Sequence, residues 1–270
     1  MSRSPAKPMK LSVNALLFSP LRVRWEAACG LWRYHGCWRL TTIRQRIKNE
    51  LFRELSETMP LVLIVSVIAA ILIFVVLPAS LREQAETILA NLWPIYVVQA
   101  APMVCAQLLA LLNAPAMALR YTELHSENAF SSESHARDRQ VAALALPQIF
   151  AHAFLCAACA CLLVAFTLIF GILAEAVLAV GDIRNVLTTI LASTSPLAWL
   201  RSLGQALVLG AVCALSAVLF AWPGSQTSAN AKDTHRIGIF AMIAASAACA
   251  LAGLAMNWLA GLLGWSPSAL

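Results

Sequence analysis

The sequence predicts an all-α protein that crosses a membrane about five times. Hydrophobic residues make up 60% of the 270 residues and charged residues only 12%, whereas a soluble domain averages roughly 45–50% and about 25%. Five long stretches contain no Asp, Glu, Lys or Arg: 59–81, 87–119, 140–174, 202–231 and 237–270. Each of them exceeds the roughly 20 apolar residues that a membrane helix needs.

Residues 1–57 form a basic N-terminal region. Near its end, apolar residues recur at helical spacing at Leu40, Ile43, Ile47, Leu51 and Leu55. Arg44, Arg46 and Lys48 fall on the other side of that helix. This pattern predicts an interfacial amphipathic helix in the headgroup region; a helix packed on a partner subunit is the alternative. The apolar stretch 11–18 is short and has no cleavage pattern after it, so we do not expect a cleaved signal peptide.

A transmembrane domain is predicted at 58–264, followed by an external tail at 265–270. We place its spans at about 60–77, 93–119, 141–175, 196–222 and 237–263, joined by loops at 79–92 and around Asp182. The third apolar run would be about 60 Å long as one helix, twice the bilayer core. No turn signal divides it, so we expect one long tilted span; two re-entrant halves are the alternative.

The distribution of positive charge predicts the orientation. With the N-terminus in the cytoplasm, segments 1–57, 120–140 and 223–236 are cytoplasmic. Only Arg82, Arg184 and Arg201 of the 19 Lys and Arg residues then lie outside. By the positive-inside rule, the N-terminus is cytoplasmic and the C-terminus external. The net charge of +6 therefore indicates membrane orientation rather than binding to nucleic acid.

Segment 120–140 is the main charged stretch after the N-terminal region. Two predicted spans frame it, so it is the best candidate for contact with a partner outside the bilayer. A solvated loop is the alternative.

The sequence shows no catalytic or metal-binding motif: it has no phosphate-binding G-x-x-x-x-G-K-[ST], no H-E-x-x-H and no G-x-S-x-G. His152 and Glu175 are the titratable groups expected within the membrane. We expect His152 to pack or to bond between helices rather than to relay protons. Cys156, Cys159 and Cys161 lack nearby Asp and Glu residues, which favours small packing residues over metal ligands; a redox role stays open.

Gln99 and Gln107 lie two turns apart on one face of span two, with Met103 between them. Amides in a membrane helix commonly join helices. They could equally line a path for lipid headgroups, and both interpretations stay open.

This layout resembles the MlaE-type permeases, the membrane subunits of MCE-associated ABC transporters that move phospholipids. The resemblance covers roughly residues 40–264 and is best at 97–150. The family's Gly-Pro in span two matches Ala101-Pro102, and the glutamate before it falls on Gln99. Its Pro-Arg at the start of span three falls on Pro147-Gln148. Its Glu-Gln in the coupling segment falls on Asn128-Ala129 or, shifted by one residue, on Glu127-Asn128.

Other signature positions differ from the family. Its Ala-Gly-Arg-x-Gly becomes Ala-Leu-Leu-Asn-Ala at 110–114. Its Ala-Glu becomes Leu119-Arg120, and its Asp-Pro becomes Arg139-Gln140. Spacing and topology are kept while most signature residues are not, which fits a divergent permease.

The resemblance implies a permease subunit in a bacterial cytoplasmic membrane that moves phospholipid or a related lipid. It implies a homo- or heterodimer of permeases, an MCE-domain protein on the outer side, and a separate ABC ATPase that binds ATP and Mg²⁺. The expected ATPase-docking residues are Glu123, Glu127, Asn128, Phe130, Arg137 and Arg139. The expected lipid-path residues are Ile71, Phe74, Val75, Gln99, Met103 and Gln107; packing of span one on span two is the alternative.

Two other functions remain as alternatives. One is a non-transporting membrane scaffold that recruits cytoplasmic partners. The other is a membrane-embedded enzyme acting on lipids, which is disfavoured because no catalytic group of residues is apparent. We therefore expect a transport subunit with no catalytic residues of its own.

Overall fold

The computed structural model describes residues 41–77, 85–126, 134–178, 183–220 and 231–263, and every regular element in this part of the chain is a helix. The described residues form seven α-helices: α1 (Thr41–Ala70), α2 (Ala85–Ile95), α3 (Ala101–Ser126), α4 (Ser134–Leu178), α5 (Ile183–Ser193), α6 (Pro196–Phe220) and α7 (Ala231–Leu262). A π-helical stretch, Ile71–Val76, continues α1. A second one, Tyr96–Ala100, joins α2 to α3.

Five helices in the described residues are long and apolar enough to cross a membrane. They are Arg44–Val76, Thr87–Tyr121, Ala143–Ala174, Pro196–Phe220 and Ile237–Leu262. We refer to them as spans one to five. The predicted all-α fold with five spans is therefore confirmed. The predicted N-terminal region up to residue 40 and the tail 265–270 lie outside the described residues.

The third span is a single helix, as predicted. α4 has 45 residues and is therefore about 68 Å long at 1.5 Å per residue. It contains Pro147, whose ring costs the helix one backbone hydrogen bond but does not end it. A helix of this length extends well beyond the hydrocarbon core of about 30 Å.

Three boundaries differ from the sequence prediction. The predicted interfacial helix and span one form one helix, because Thr41–Ala70 continues through Pro60. Residues 85–92, predicted as loop, are the start of α2. Helix α5, absent from the prediction, occupies most of the expected loop before span four. In each case the predicted boundary lies at a change in polarity. A change in polarity alone does not end a helix.

Local signals explain the break between α5 and α6. The hydroxyl of Ser195 accepts a hydrogen bond of 3.1 Å from the backbone N–H of Ala198, which caps the new helix. Pro196 takes the first helical position, where its missing N–H costs nothing. Helix α5 packs on α2.

Helices α3 and α6 lie in the middle of the bundle. α6 packs on α3, α4 and α7, while α1 packs mainly on α4 and α7 packs on α3 and α6. Small residues let these helices approach closely: Ala106, Ala110, Ala114, Ala214, Ala217, Ala241 and Ala245 are fully buried. Cys105, Cys156, Cys159, Cys213 and Cys249 are also buried in this packing, whereas Cys161 is exposed.

The spans bring two contrasting sets of side chains together at opposite ends of the bundle. Glu54 of α1 meets His152 of α4, and Phe74 lies against Gly171 of α4, so these two helices are parallel. From Glu54 to Phe74 the helix rises about 30 Å, which matches the thickness of a hydrocarbon core. We call the end that contains Glu54 and His152 the polar end, and the end that contains Phe74 and Gly171 the aromatic end.

Candidate functional site

Buried polar side chains of α1, α3 and α4 meet at the polar end. We call them, together with the partly exposed Glu50 and Arg120, the polar cluster: Glu50, Glu54, Thr58, Asn113, Arg120, Tyr121, Gln148 and His152. On each helix these residues lie four or eight residues apart, except Arg120, which is next to Tyr121. Each helix therefore presents one polar stripe to its neighbours.

The Glu54–His152 pair links α1 to α4. The His152 side chain is 0% exposed and Glu54 is 5% exposed. His152 Nδ1 lies 3.1 Å from Glu54 Oε2 and 3.2 Å from the backbone oxygen of Gln148. His152 is therefore an interhelical contact residue, as expected from the sequence.

Hydroxyl groups continue the contact between α1 and α4 toward the middle of the membrane. Thr58 donates a hydrogen bond of 2.6 Å to the backbone oxygen of Glu54, and its Oγ1 lies 4.0 Å from Cys159 Sγ. About two turns further along α1, Ser66 Oγ donates a hydrogen bond of 2.6 Å to the backbone oxygen of Val62. These hydroxyls are satisfied within the protein, as buried hydroxyls in membrane helices generally are.

Ion pairs link α1 to α3 at the rim of the polar cluster. Arg120 Nη1 donates to Glu50 Oε1 at 3.0 Å. Glu50 also pairs with Arg53, whose Nη2 lies 3.7 Å from Glu54 Oε1. Three spans are thus connected through the carboxylates of α1.

Two cavities lie inside the polar cluster. The larger, about 300 Å³, is lined by Arg46, Asn49, Glu50, Arg120, Tyr121, Leu144, Pro147 and Gln148. The smaller, about 170 Å³, is lined by Arg53, Glu54, Glu57, Asn113, Ala116, Met117, Arg120 and Gln148. Arg120 and Gln148 line both cavities, which are therefore adjacent.

Several buried atoms of the cluster have no hydrogen-bond partner in the described part of the chain: Glu54 Oε2, which lies near His152 Nδ1 without a hydrogen bond to it, Asn113 Nδ2, the Tyr121 hydroxyl, Gln148 Oε1 and His152 Nε2. Buried polar atoms in proteins are nearly always hydrogen-bonded. These atoms are therefore available to water or to a polar ligand in the cavities.

The predicted lipid-path residues on α1 lie at the aromatic end. Ile71 is 46% exposed, Val75 is half-buried and Phe74 is 1% exposed. The Phe74 ring packs edge-on against Trp93, with 5.9 Å between ring centroids, and it covers Gly171, where an added Cβ would lie 2.3 Å from the ring. In this single chain Phe74 thus packs span one on spans two and three.

The predicted lipid-path residues on span two lie in different surroundings. Gln99 and Met103 are half-buried, and the Met103 side chain fills the space over Gly253 of α7. Gln107 Nε2 donates a hydrogen bond of 3.1 Å to the backbone oxygen of Ser246. Gln107 thus joins α3 to α7.

Further contacts connect the aromatic end. The hydroxyls of Tyr96 and Thr167 are 2.7 Å apart. Ser202 donates a hydrogen bond of 2.7 Å to the backbone oxygen of Val97, within the second π-helical stretch. We call Phe74, Trp93, Tyr96, Thr167 and Gly171 the aromatic cluster.

The predicted ATPase-docking residues lie at or between helix ends. Glu123 belongs to α3, and Arg137 and Arg139 belong to α4, but their side chains are outside the described part of the chain. Glu127, Asn128 and Phe130 lie in 127–133, which is wholly outside it. What the structure shows is that helices enter segment 120–140 from both sides.

The polar cluster was missed from the sequence. Its signal is the repeated spacing of four residues: Glu50, Glu54 and Thr58 on α1, and Gln148 and His152 on α4. The apolar stripe of α1 that includes Ile47, Leu51 and Leu55 is the more regular pattern in the same stretch. Two i, i+4 stripes on different helices indicate a shared site only when the helices are known to face each other.

In the described residues, no three His, Cys, Asp or Glu side chains come together as a candidate metal site. Comparison with known proteins finds no family model and no curated protein that the chain matches. The fold and the site define a multi-pass helical membrane protein with a polar cluster at one end of its bundle.

Proposed function

We propose that this chain is the permease subunit of an ABC transporter that moves phospholipid or a related lipid between membranes. The proposal places it in a bacterial cytoplasmic membrane, with the N-terminus inside and the C-terminus outside. The observation that carries it is the continuity of α3 and α4. Both run from the membrane into segment 120–140, so a force applied to that segment reaches two spans directly.

Contacts at the polar end would carry the same force to span one. Arg120, at the base of the segment, is bonded to Glu50 of α1. Glu54 of α1 meets His152 of α4. A displacement of the ends of α3 and α4 would therefore move α1 as well, because the three helices share these pairs.

A separate ATPase would supply the energy, since the sequence has no phosphate-binding motif for ATP. That subunit would bind ATP and Mg²⁺ and dock on Glu123, Glu127, Asn128, Phe130, Arg137 and Arg139. The resemblance to MlaE-type permeases adds a second permease and an MCE-domain protein on the outer side.

The aromatic end would hold the lipid path. Ile71 and Val75 offer an apolar surface there, with Phe74 behind them. Both π-helical stretches lie at this end, and such stretches often occur at functional sites. Separation of Phe74 from Trp93 would open a path past Gln99 and Met103, while Gln107 would hold α3 on α7.

Co-purification tests the docking. With a candidate ATPase co-expressed, charge reversal at Glu123, Glu127, Arg137 and Arg139 should abolish its recovery with this chain. Reversal at exposed Arg44 of α1 is the matched control and should leave recovery unchanged. Retention of the ATPase by the first variant would reject the docking surface.

Photocrosslinking tests the lipid path. A crosslinker at Phe74 or Gln99 should capture more phospholipid when the ATPase and ATP are present, because the aromatic cluster must open. A crosslinker at Ala248, or at Leu251, which is 68% exposed on α7, should report surrounding lipid at a constant level. If ATP leaves all positions unchanged while the ATPase still binds, the chain is a non-transporting scaffold.

A further inference from the structure

The larger cavity of the polar cluster has the composition of an anion-binding site. Two guanidinium groups line it, those of Arg46 and Arg120, against one carboxylate, that of Glu50. That carboxylate is already shared between Arg120 and Arg53. No ion-pair partner of Arg46 lies among the described residues. The lining of the larger cavity therefore has one more positive than negative charge, while the carboxylates of Glu54 and Glu57 line the adjacent smaller cavity with Arg53 and Arg120.

The buried wall of this cavity offers unused hydrogen-bonding groups. Tyr121 is 3% exposed and Gln148 is 6% exposed, yet the Tyr121 hydroxyl and Gln148 Oε1 have no partner among the described residues. Tyr121 can donate to an anion, and Gln148 Oε1 can accept from a hydroxyl group. Arg120 uses one of its five N–H groups on Glu50, so it retains others for a ligand.

The surroundings of the cavity are apolar and exposed. Leu144 and Pro147 complete its wall. Phe52 and Phe150 are 61% and 37% exposed, and each lies three residues, about one turn, from a cavity residue, Asn49 or Pro147. Leu111 and Leu112 are also exposed, about two to three turns away along α3. Exposed side chains of this kind at the end of a membrane span contact acyl chains.

We infer that the larger cavity binds the phosphodiester headgroup of an anionic phospholipid. The phosphate lies between Arg46 and Arg120 and accepts a hydrogen bond from Tyr121. A headgroup hydroxyl donates to Gln148 Oε1, and the acyl chains lie along the exposed apolar side chains. Basic pockets between membrane helices commonly hold anionic lipid headgroups.

This site is separate from the proposed transport path. It lies at the polar end, about 36–42 Å along α1 from Phe74, and it needs neither an ATPase nor transport. The lipid bound here contacts α1, α3 and α4. It stays in the bundle and is not the lipid that is transported.

The test is lipid binding by the purified full chain, without any ATPase, measured by native mass spectrometry. The probes are phosphatidylglycerol, phosphatidylcholine and the soluble phosphoester glycerol 1-phosphate. Phosphatidylglycerol should bind at least about tenfold more tightly than phosphatidylcholine. Both lipids carry the phosphate, but the quaternary ammonium of phosphatidylcholine is repelled by the two guanidinium groups and offers no hydroxyl to Gln148 Oε1. Glycerol 1-phosphate should not displace it at equal concentration, because it has no acyl chains.

Matched variants locate the site. Arg46→Gln should weaken phosphatidylglycerol binding about tenfold, because it removes one hydrogen bond to a charged group. Arg44→Gln removes the same charge from an exposed position of the same helix that does not line the cavity, and it should change binding less than twofold. Tyr121→Phe should weaken binding several-fold. Thermal melting confirms that each variant is folded.

Three results would overturn the inference. Equal affinity for the two lipids would show that no anionic headgroup is selected. Equal losses in Arg44→Gln and Arg46→Gln would show general attraction to the basic helix. Displacement by glycerol 1-phosphate at equal concentration would show a site for soluble phosphoesters instead of lipid. None of these results bears on ATPase docking, so the proposed function is tested independently.

Discussion

The two ends of the bundle are built from the same three spans but by different chemistry. At the aromatic end, Phe74, Trp93 and Tyr96 fill the space between helices, and the hydroxyls of Tyr96 and Thr167 satisfy each other. At the polar end, carboxylates pair with Arg120 and His152, cavities remain, and buried polar atoms lack partners among the described residues.

This difference indicates which end is held by packing and which by charge. Contacts between helices in a membrane depend on van der Waals packing, since lipid offers no hydrophobic driving force between them. The aromatic end meets that requirement with large buried rings. The polar end does not, because its buried polar side chains lose hydration and gain only their partners in return. We therefore expect the aromatic end to contribute more stability and the polar end to adapt more readily to a ligand.

The largest effect is expected at the aromatic end. Phe74→Ala should lower the free energy of unfolding by about 3–5 kcal/mol, because it leaves a cavity between three spans. Phe154→Ala is the matched control, since Phe154 is 52% exposed on α4, and its cost should stay within about 0.5 kcal/mol. Unfolding in mixed detergent micelles can be followed with a thiol-reactive dye, because five cysteines become accessible. Equal costs for the two variants would contradict a packed aromatic end.

A double-mutant cycle tests the buried pair at the polar end. Glu54→Leu and His152→Leu should each destabilise the chain, because each leaves the other polar group buried without its partner. Together they should cost less than the sum, with a coupling of about 1–2 kcal/mol, the upper part of the range for such contacts between membrane helices.

The control cycle uses a neighbouring carboxylate. Glu57 lies on the same helix and lines the smaller cavity but is not paired with His152. Glu57→Leu and His152→Leu should therefore add within about 0.5 kcal/mol. The same coupling in both cycles would mean that the Glu54–His152 contact contributes nothing specific.

The sequence predicted the spans well because length and apolar composition decide them. The five uncharged stretches correspond to five spans, and the absence of a turn signal in 141–180 correctly indicated one helix. It predicted helix ends less well. The start of α2, helix α5 and the continuity of α1 through Pro60 depend on packing against other helices rather than on local polarity.

The polar cluster could not be predicted because it depends on which helix faces meet. Glu54 and His152 are far apart in the chain, and the sequence does not show which faces of their two helices meet. Only the parallel arrangement of α1 and α4 brings them within 3.1 Å. Gln107 illustrates the same limit of sequence-based prediction. The sequence left a helix–helix contact and a path for lipid headgroups open, and the hydrogen bond to Ser246 favours the contact between helices.

The smallest effect is expected at the rim of the polar end, where Glu50 pairs with Arg120. The two side chains are 16% and 47% exposed, so the ion pair lies partly in water and should be worth about 0.5–1 kcal/mol. Glu50→Gln should lose that amount in low salt. Because salt screens exposed charges, with a Debye length of about 10 Å at 0.1 M and about 3 Å at 1 M, the difference from the unmodified chain should vanish in 1 M salt. Ser202→Ala, which removes a neutral bond to Val97 at the aromatic end, should cost about 0.6 kcal/mol at either salt concentration. A salt-independent loss in Glu50→Gln would mean that the rim, like the aromatic end, is held by packing rather than by charge.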